Sequence, residues 1–172
     1  MTAVSLAVGA EPSFVTRVSG FQDLYQRHWE AVYRTALRVT GNPADAEDVL
    51  QNVFLRILDR QLTVDPSWSP ESYLRRAATN AAIDLLRRKV SAQETAIEED
   101  REYGGKEGTL LLKERLRRAL AKLAPAEAEL FVLCYLEGYS YDELARLFEV
   151  ERGTIASRLF RTRAVLRKDL SE

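Results

Sequence analysis

Residues 141–159 read YDELARLFEVERGTIASRL, a short helix, a tight turn and a longer helix within about twenty residues, which is the spacing of a helix-turn-helix. Ala145 is small where the two helices must cross, and Ile155 and Leu159 lie one turn apart to face that crossing. At about 100° per residue, Ile155, Leu159, Thr162 and Leu166 form the inner stripe of the second helix. Gly153, Ser157, Phe160, Arg161, Ala164 and Lys168 fall on the opposite side. Ser140 with Glu143 three residues later is a capping-box start for the first helix, and Gly138 stops the helix before it.

The second helix carries charge out of proportion to the chain. Residues 151–168 hold six basic side chains and one acid, in a protein of 172 residues with a formal net charge of −1. An arginine can bridge a guanine edge and an aromatic edge can meet a thymine methyl, so Ser157, Phe160 and Arg161 suit base edges in a major groove. Arg152, Arg158, Arg163 and Arg167 lie on the flanks, better placed for phosphates, and Thr154 joins the same candidate set. The alternative is a solvated amphipathic helix with Phe160 packed on a neighbour, because charge runs often do no more than keep a face in water. Its place as the second helix of a turn-defined pair favours DNA.

Working outward, Pro and Gly are sparse, β-branched alternation is nearly absent, and i, i+3, i+4 apolar spacing recurs from Phe21 onward. The expected fold is all-α. Charge is segregated along the chain: residues 71–89 hold five basic and two acidic side chains, and residues 91–108 hold six acidic and two basic. The latter stretch, SAQETAIEEDREYGGKEG, has a Gly pair and no sustained apolar period, and reads as a flexible acidic linker. Four segments are therefore expected: a frayed, disordered tail over 1–19, a helical domain over 20–90, the linker over 91–108, and a second helical domain over 109–172. The first domain should hold helices near 20–40, 43–61 and 70–89. Asn42-Pro43 and Ser69-Pro70 supply the start signals of the second and third. The second domain should hold helices near 109–123, 125–137, 140–147 and 151–168.

Two more faces stand out. In PESYLRRAATNAAIDLLRRK (70–89), Tyr73, Arg76, Asn80, Asp84 and Arg87 recur at three or four and share a face, with Arg88 beside them, while Leu74, Ala77, Ala78, Ala81 and Leu85 line the adjoining one. Asn and Arg near an aromatic suit unpaired bases and phosphates. Trp68, in the proline-rich TVDPSWSPE just upstream, is placed to wall a pocket for a flipped base. The competing reading makes Trp68 and Tyr73 core aromatics and pairs Asp84 with Arg88. In DAEDVLQNVFLRIL (45–58), Ala46, Val49, Leu50, Val53, Phe54, Ile57 and Leu58 form one stripe, expected to be core. Leu55 points away from it, between Asp48, Gln51, Asn52 and Asp59, with Asp45 at the start of the segment. Such a leucine on an acidic, amide-rich face fits the anchor of a protein-docking surface.

Some functions find no support in the chain. A single Cys134 and a single His28 leave no disulfide, thiol pair or metal-ligand cluster. No set of acid, base and nucleophile can be assembled, so no catalytic site, cofactor or metal is expected. No run approaches the about 20 apolar residues of a membrane span, and a reducing cytoplasm fits the composition.

Taken in order, the segments resemble a family: bacterial RNA polymerase sigma factors of the extracytoplasmic-function (ECF) class. DAEDVLQNVFLRIL resembles the region 2.2 helix that grips the β′ clamp helices of core RNA polymerase. SYLRRAATNAAIDLLRR is similar to the helix of regions 2.3 and 2.4, and LEGYSYDELARLFEVERGTIASRLFRTRAVLR to region 4. The resemblance covers most of 21–168. It implies that region 4 reads the minus-35 element, with Ser157, Arg158, Phe160 and Arg161 at contact positions, and meets the β flap. It also implies that the Trp68 loop and the Asn80 stripe open and read the minus-10 element, and that an anti-sigma factor is a possible partner. Three positions depart from the family pattern. Tyr73 stands where Trp is usual, Ala156 replaces a common Lys or Arg, and Glu149 occupies a turn position often held by glycine, where a positive φ is needed. The rival reading is a helix-turn-helix regulator that does not bind core polymerase; it accounts for 139–168 and leaves the Leu55 face and the Tyr73–Arg87 stripe unexplained.

Overall fold

Three helix starts in this chain are set by side chains that satisfy otherwise orphaned backbone N–H groups. The Asn42 side chain accepts from the backbone N–H groups of Ala44 and Asp45 at 2.9 and 3.2 Å, with Pro43 at the first helical position. Ser69 Oγ accepts from Ser72 N at 3.2 Å before the next helix. Ser140 and Glu143 form a reciprocal capping box. The computed structural model describes residues 14–59, 69–95 and 108–171, and these form seven helices: α1 (Phe14–Thr40), α2 (Pro43–Leu58), α3 (Pro70–Thr95), α4 (Gly108–Lys122), α5 (Pro125–Tyr135), α6 (Tyr141–Leu147) and α7 (Arg152–Ser171). The all-α expectation holds: every regular element among the described residues is a helix.

Helix ends differ from expectation where no Pro or Gly marks them. Residues 14–19, expected in the tail, belong to α1, and residues 91–95, expected in the linker, belong to α3. At the other extreme α2 stops at Leu58, short of 61, and Leu58, expected in the core stripe, is 51% exposed. Residues 1–13, 60–68, 96–107 and 172 lie outside the described residues, and with them Trp68 and most of the acidic linker.

Two apolar clusters hold the helices, and their border does not follow the linker. The second is the helix-turn-helix core: Leu130, Leu133, Leu144, Ile155 and Leu159, with Ala145, Phe148 and Val150 against them. The first joins Val32, Ala36, Val53, Phe54, Leu74, Ala78 and Ile83 of α1–α3 to Leu120 of α4, Ala128 and Val132 of α5 and Leu166 of α7. The short α5 thus has apolar residues in both clusters. This packing of α4 and α5 on α3 shifts its deepest side to Leu74, Ala78, Ala82 and Leu86, whereas Ala77, Ala81 and Leu85, expected on the buried face, are half-buried.

Backbone strain is local and purposeful. Glu149, the one non-glycine residue with positive φ among the described residues, has φ 54° in the turn between α6 and α7. That costs about 1 kcal/mol relative to glycine. The turn is held by Phe148 N donating to Leu144 O at 2.9 Å and Val150 N to Ala145 O at 3.0 Å. Gly41, between α1 and α2, has φ +67°, and a Cβ there would lie 1.9 Å from the Arg117 guanidinium. Arg117 Nε donates to Val39 O at 3.2 Å, so an α4 arginine caps the end of α1 over the bare glycine.

Candidate nucleic-acid interface

The outer face of α7 is built by burying its inner one. Ile155, Leu159, Thr162 and Leu166 are all buried, and the Thr162 hydroxyl is satisfied by donating to Arg158 O at 3.0 Å. On the far side Phe160 is 67% exposed, with Ser157 and Arg161 exposed near it. Arg152 and Arg163 are exposed, whereas Thr154, Arg158 and Ala156 are half-buried. The reading with Phe160 packed on a neighbour fails on this exposure. Arg152 Nε sits 3.3 Å from Asp142 Oδ1, with its guanidinium 5.8 Å from the Tyr141 ring centroid, so α6 orients the first arginine of α7. Arg163 lies beside α5: burial pushes the Cys134 thiol and the Tyr135 phenol above their ordinary pKa values, and the Arg163 charge partly offsets both shifts.

The α3 stripe is brought onto one face, but that face is covered. Arg76 Nε and Asn80 Nδ2 both donate to Glu129 Oε1 of α5, the latter at 3.1 Å. The Arg76 guanidinium also lies 4.7 Å from the Phe148 ring centroid. Arg87 donates to the Ala121 and Leu123 carbonyls at 3.2 and 2.7 Å. Tyr73 is half-buried; desolvation raises its phenol pKa, opposed by the charges of Arg56 and Arg76. Asp84 and Arg88 are exposed, and Asp84 lies 3.7 Å from Arg87, not paired with Arg88 as the competing reading had it. Trp68 lies outside the described residues.

On α2, Leu55 is 56% exposed among exposed Asp48, Gln51, Asn52 and Asp59. Asp45 differs: it is buried, and both its carboxylate oxygens lie 2.6 Å from Lys89 Nζ of α3. Asp48, Asn52 and Arg56 form one wall of a polar groove whose other wall is Asp84, Arg87 and Arg88. The candidate docking residues and part of the candidate DNA stripe therefore face each other.

Sequence reasoning missed Glu129 and Glu137. In EAELFVLCYLEG (127–138) both acids border the apolar run that includes Leu130, Val132 and Leu133, a sign that each was bound for an interface with a cation. Glu137, its side chain fully buried, accepts from Thr35 Oγ1 at 2.8 Å, Arg38 at 3.0 Å and Arg75 at 2.7 Å. Burial lowers the Arg75 pKa, but its bonds to Glu71 and Glu137 more than compensate and hold it above the ordinary value.

Comparison with known proteins agrees with this architecture. Residues 24–91 match the family model of sigma-70 region 2, and residues 113–166 match that of sigma-70 region 4. The chain is 32% identical to the ECF RNA polymerase sigma factor SigE of Mycolicibacterium smegmatis, over 99% of this chain and 68% of that one. It is 31% identical to the RNA polymerase sigma factor CarQ of Myxococcus xanthus, over 88% of this chain and 90% of that one. Among solved structures, the sigma factor RpoE in complex with the anti-sigma factor NepR, from Bartonella quintana, superposes with a TM-score of 0.50 at 21% identity, covering 89% of this chain and 98% of that one; this likeness bears on the fold. With region 2 over α1–α3 and region 4 over α4–α7, matched in order and at this level of identity, the chain belongs to the ECF class of RNA polymerase sigma factors.

Proposed function

We propose that residues 20–90 dock on core polymerase through the Leu55 face and read the minus-10 element, and that residues 109–172 read the minus-35 element through α7. As an ECF sigma factor the protein directs transcription initiation with core polymerase and promoter DNA; it is not an enzyme, and polymerase performs the chemistry. The observation that carries the residue-level reading is α7 itself: a helix wholly buried on one side and basic on the other, with Phe160 standing 67% exposed between two groups able to meet base edges. Ser157, Phe160 and Arg161 are the base-reading set. Arg152, Thr154, Arg158 and Arg163 hold phosphates. Tyr73, Arg76, Asn80, Asp84, Arg87 and Arg88, with Trp68, form the minus-10 set. Asp48, Gln51, Asn52, Leu55 and Asp59 meet the β′ clamp helices, while Asp45, buried on Lys89, holds α2 against α3 behind them, and the 109–172 domain lies on the β flap.

An anti-sigma factor is a further partner in this reading, supported by the complex in which the RpoE relative was solved. The cytoplasm is where it works; among the described residues no helix is long and apolar enough to cross a membrane.

The test compares two arginines two positions apart. Arg161→Ala should cost about 1–3 kcal/mol and relax preference at one upstream position, because a base contact is lost. Arg163→Ala should weaken all sequences alike and reduce the salt slope by about one phosphate contact. Holoenzyme binding to a panel of upstream-element variants at several salt concentrations reads both. Equal, sequence-independent losses would reduce α7 to a phosphate clamp.

A further inference from the structure

We propose that α5 carries a carboxylate latch: in the free chain Glu129 occupies the hydrogen-bonding groups of Arg76 and Asn80, holding the minus-10 face shut until the two domains separate. This rests on the assignment of that stripe to DNA. One oxygen, Glu129 Oε1, takes both the Arg76 guanidinium and the Asn80 amide. Those are the donors that a phosphate or a base edge would use. The carboxylate is therefore an internal stand-in for the nucleic acid, and the two compete for the same donor atoms.

Three features extend the latch. The ring of Phe148, the C-cap of α6, lies 4.7 Å from the same Arg76 guanidinium. Arg87, the third donor of the stripe, is turned to the Ala121 and Leu123 carbonyls at the end of α4, where helix carbonyls lack intrahelical partners and favour a cation. Glu137, just past the end of α5, forms a second bolt to Thr35 and Arg38 of α1 and Arg75 of α3. Each described donor of the stripe that makes a bond to the 109–172 domain uses the atoms DNA would need.

Its chemistry suits release. Burying charge pairs costs desolvation that largely cancels their attraction, so polar bolts add alignment to the interface without making it permanent. The apparent DNA affinity of the free chain is lowered by the fraction of molecules that are open. Polymerase, by holding the domains apart, would remove that penalty.

The experiment uses the free full-length chain. Spin labels at exposed Glu47 of α2 and Ala164 of α7, in a Cys134→Ser background, report the distance between domains. Binding of a fluorescein-labelled, single-stranded DNA pool of randomised sequence reports the stripe. Glu129→Gln/Glu137→Gln keeps side-chain size and removes both charges, and Glu129→Gln alone serves if the pair does not fold. The expected result is a longer, broader distance distribution with DNA binding tightened by about tenfold, a gain that adding Asn80→Ala abolishes. Unchanged distances and unchanged binding would overturn the latch. Opening without tighter binding, or a gain that survives Asn80→Ala, would overturn the assignment of the stripe to DNA instead.

Discussion

Leu55 illustrates what one side chain can decide. It stands 56% exposed on a helix whose opposite stripe, Ala46, Val49 and Val53, is buried, so its burial contributes little to folding. Leu55→Asp should therefore change stability by no more than about 0.5 kcal/mol while impairing the complex with core polymerase, read by thermal melting beside co-elution with the purified enzyme. Melting at a much lower temperature with an intact complex would mean the leucine packs inside and docks nothing. The helical period makes Leu55 legible in the sequence, because phase along a single helix needs no knowledge of neighbours. Asp45, ten residues earlier, was not legible in the same way. Its burial depends on Lys89, forty-four positions later on another helix, and no local pattern reports such a partner.

At the scale of the element, caps and turns were readable because each is a short-range bond between named side chains and backbone. Asn42-Pro43, Ser140 with Glu143, and the strained Glu149 all behave as their spacing demands. The extent of α3 was not, since no Pro or Gly follows the expected end at 89 and the helix runs on through Thr95. The capping box also predicts a pH response. Bonds from the Ser140 side chain and backbone hold the Glu143 carboxyl below its ordinary value of 4.5. A carboxyl depressed in the folded state adds stability that is present above that value and is lost as pH falls through the folded pKa. Acid titration of helix content should then show the wild type losing this contribution below the ordinary carboxyl range. Glu143→Gln should start from lower stability and lose less on the same descent. Parallel acid limbs for the two proteins would mean the carboxylate adds nothing to the cap.

At the scale of the molecule the sequence suggested two basic modules on a tether, and the structure joins them through one apolar cluster. Periodicity assigns faces helix by helix, so it cannot tell a polar stripe meant for a ligand from one meant for another domain; the Asn80 stripe meets Glu129 of α5 in this structure. The physical consequence of the shared cluster is cooperativity. Leu120 of α4 is 1% exposed and packs in the cluster with α1–α3, whereas Leu144 of α6 is fully buried in the helix-turn-helix cluster. Both tryptophans, Trp29 and Trp68, fall in residues 20–90, and the single cysteine, Cys134, is half-buried on α5, so indole emission and thiol labelling follow the two halves separately. In the wild type the two denaturation curves should coincide, the signature of a single transition. Leu120→Ala should cost about 2–5 kcal/mol, the range for a buried leucine, and move both midpoints together. Leu144→Ala should advance the thiol curve ahead of the indole curve, because its cavity opens in the cluster that α1–α3 do not share. If Leu120→Ala left the indole midpoint in place, the halves would fold independently, and the closed arrangement would rest on the polar bolts of Glu129 and Glu137 alone.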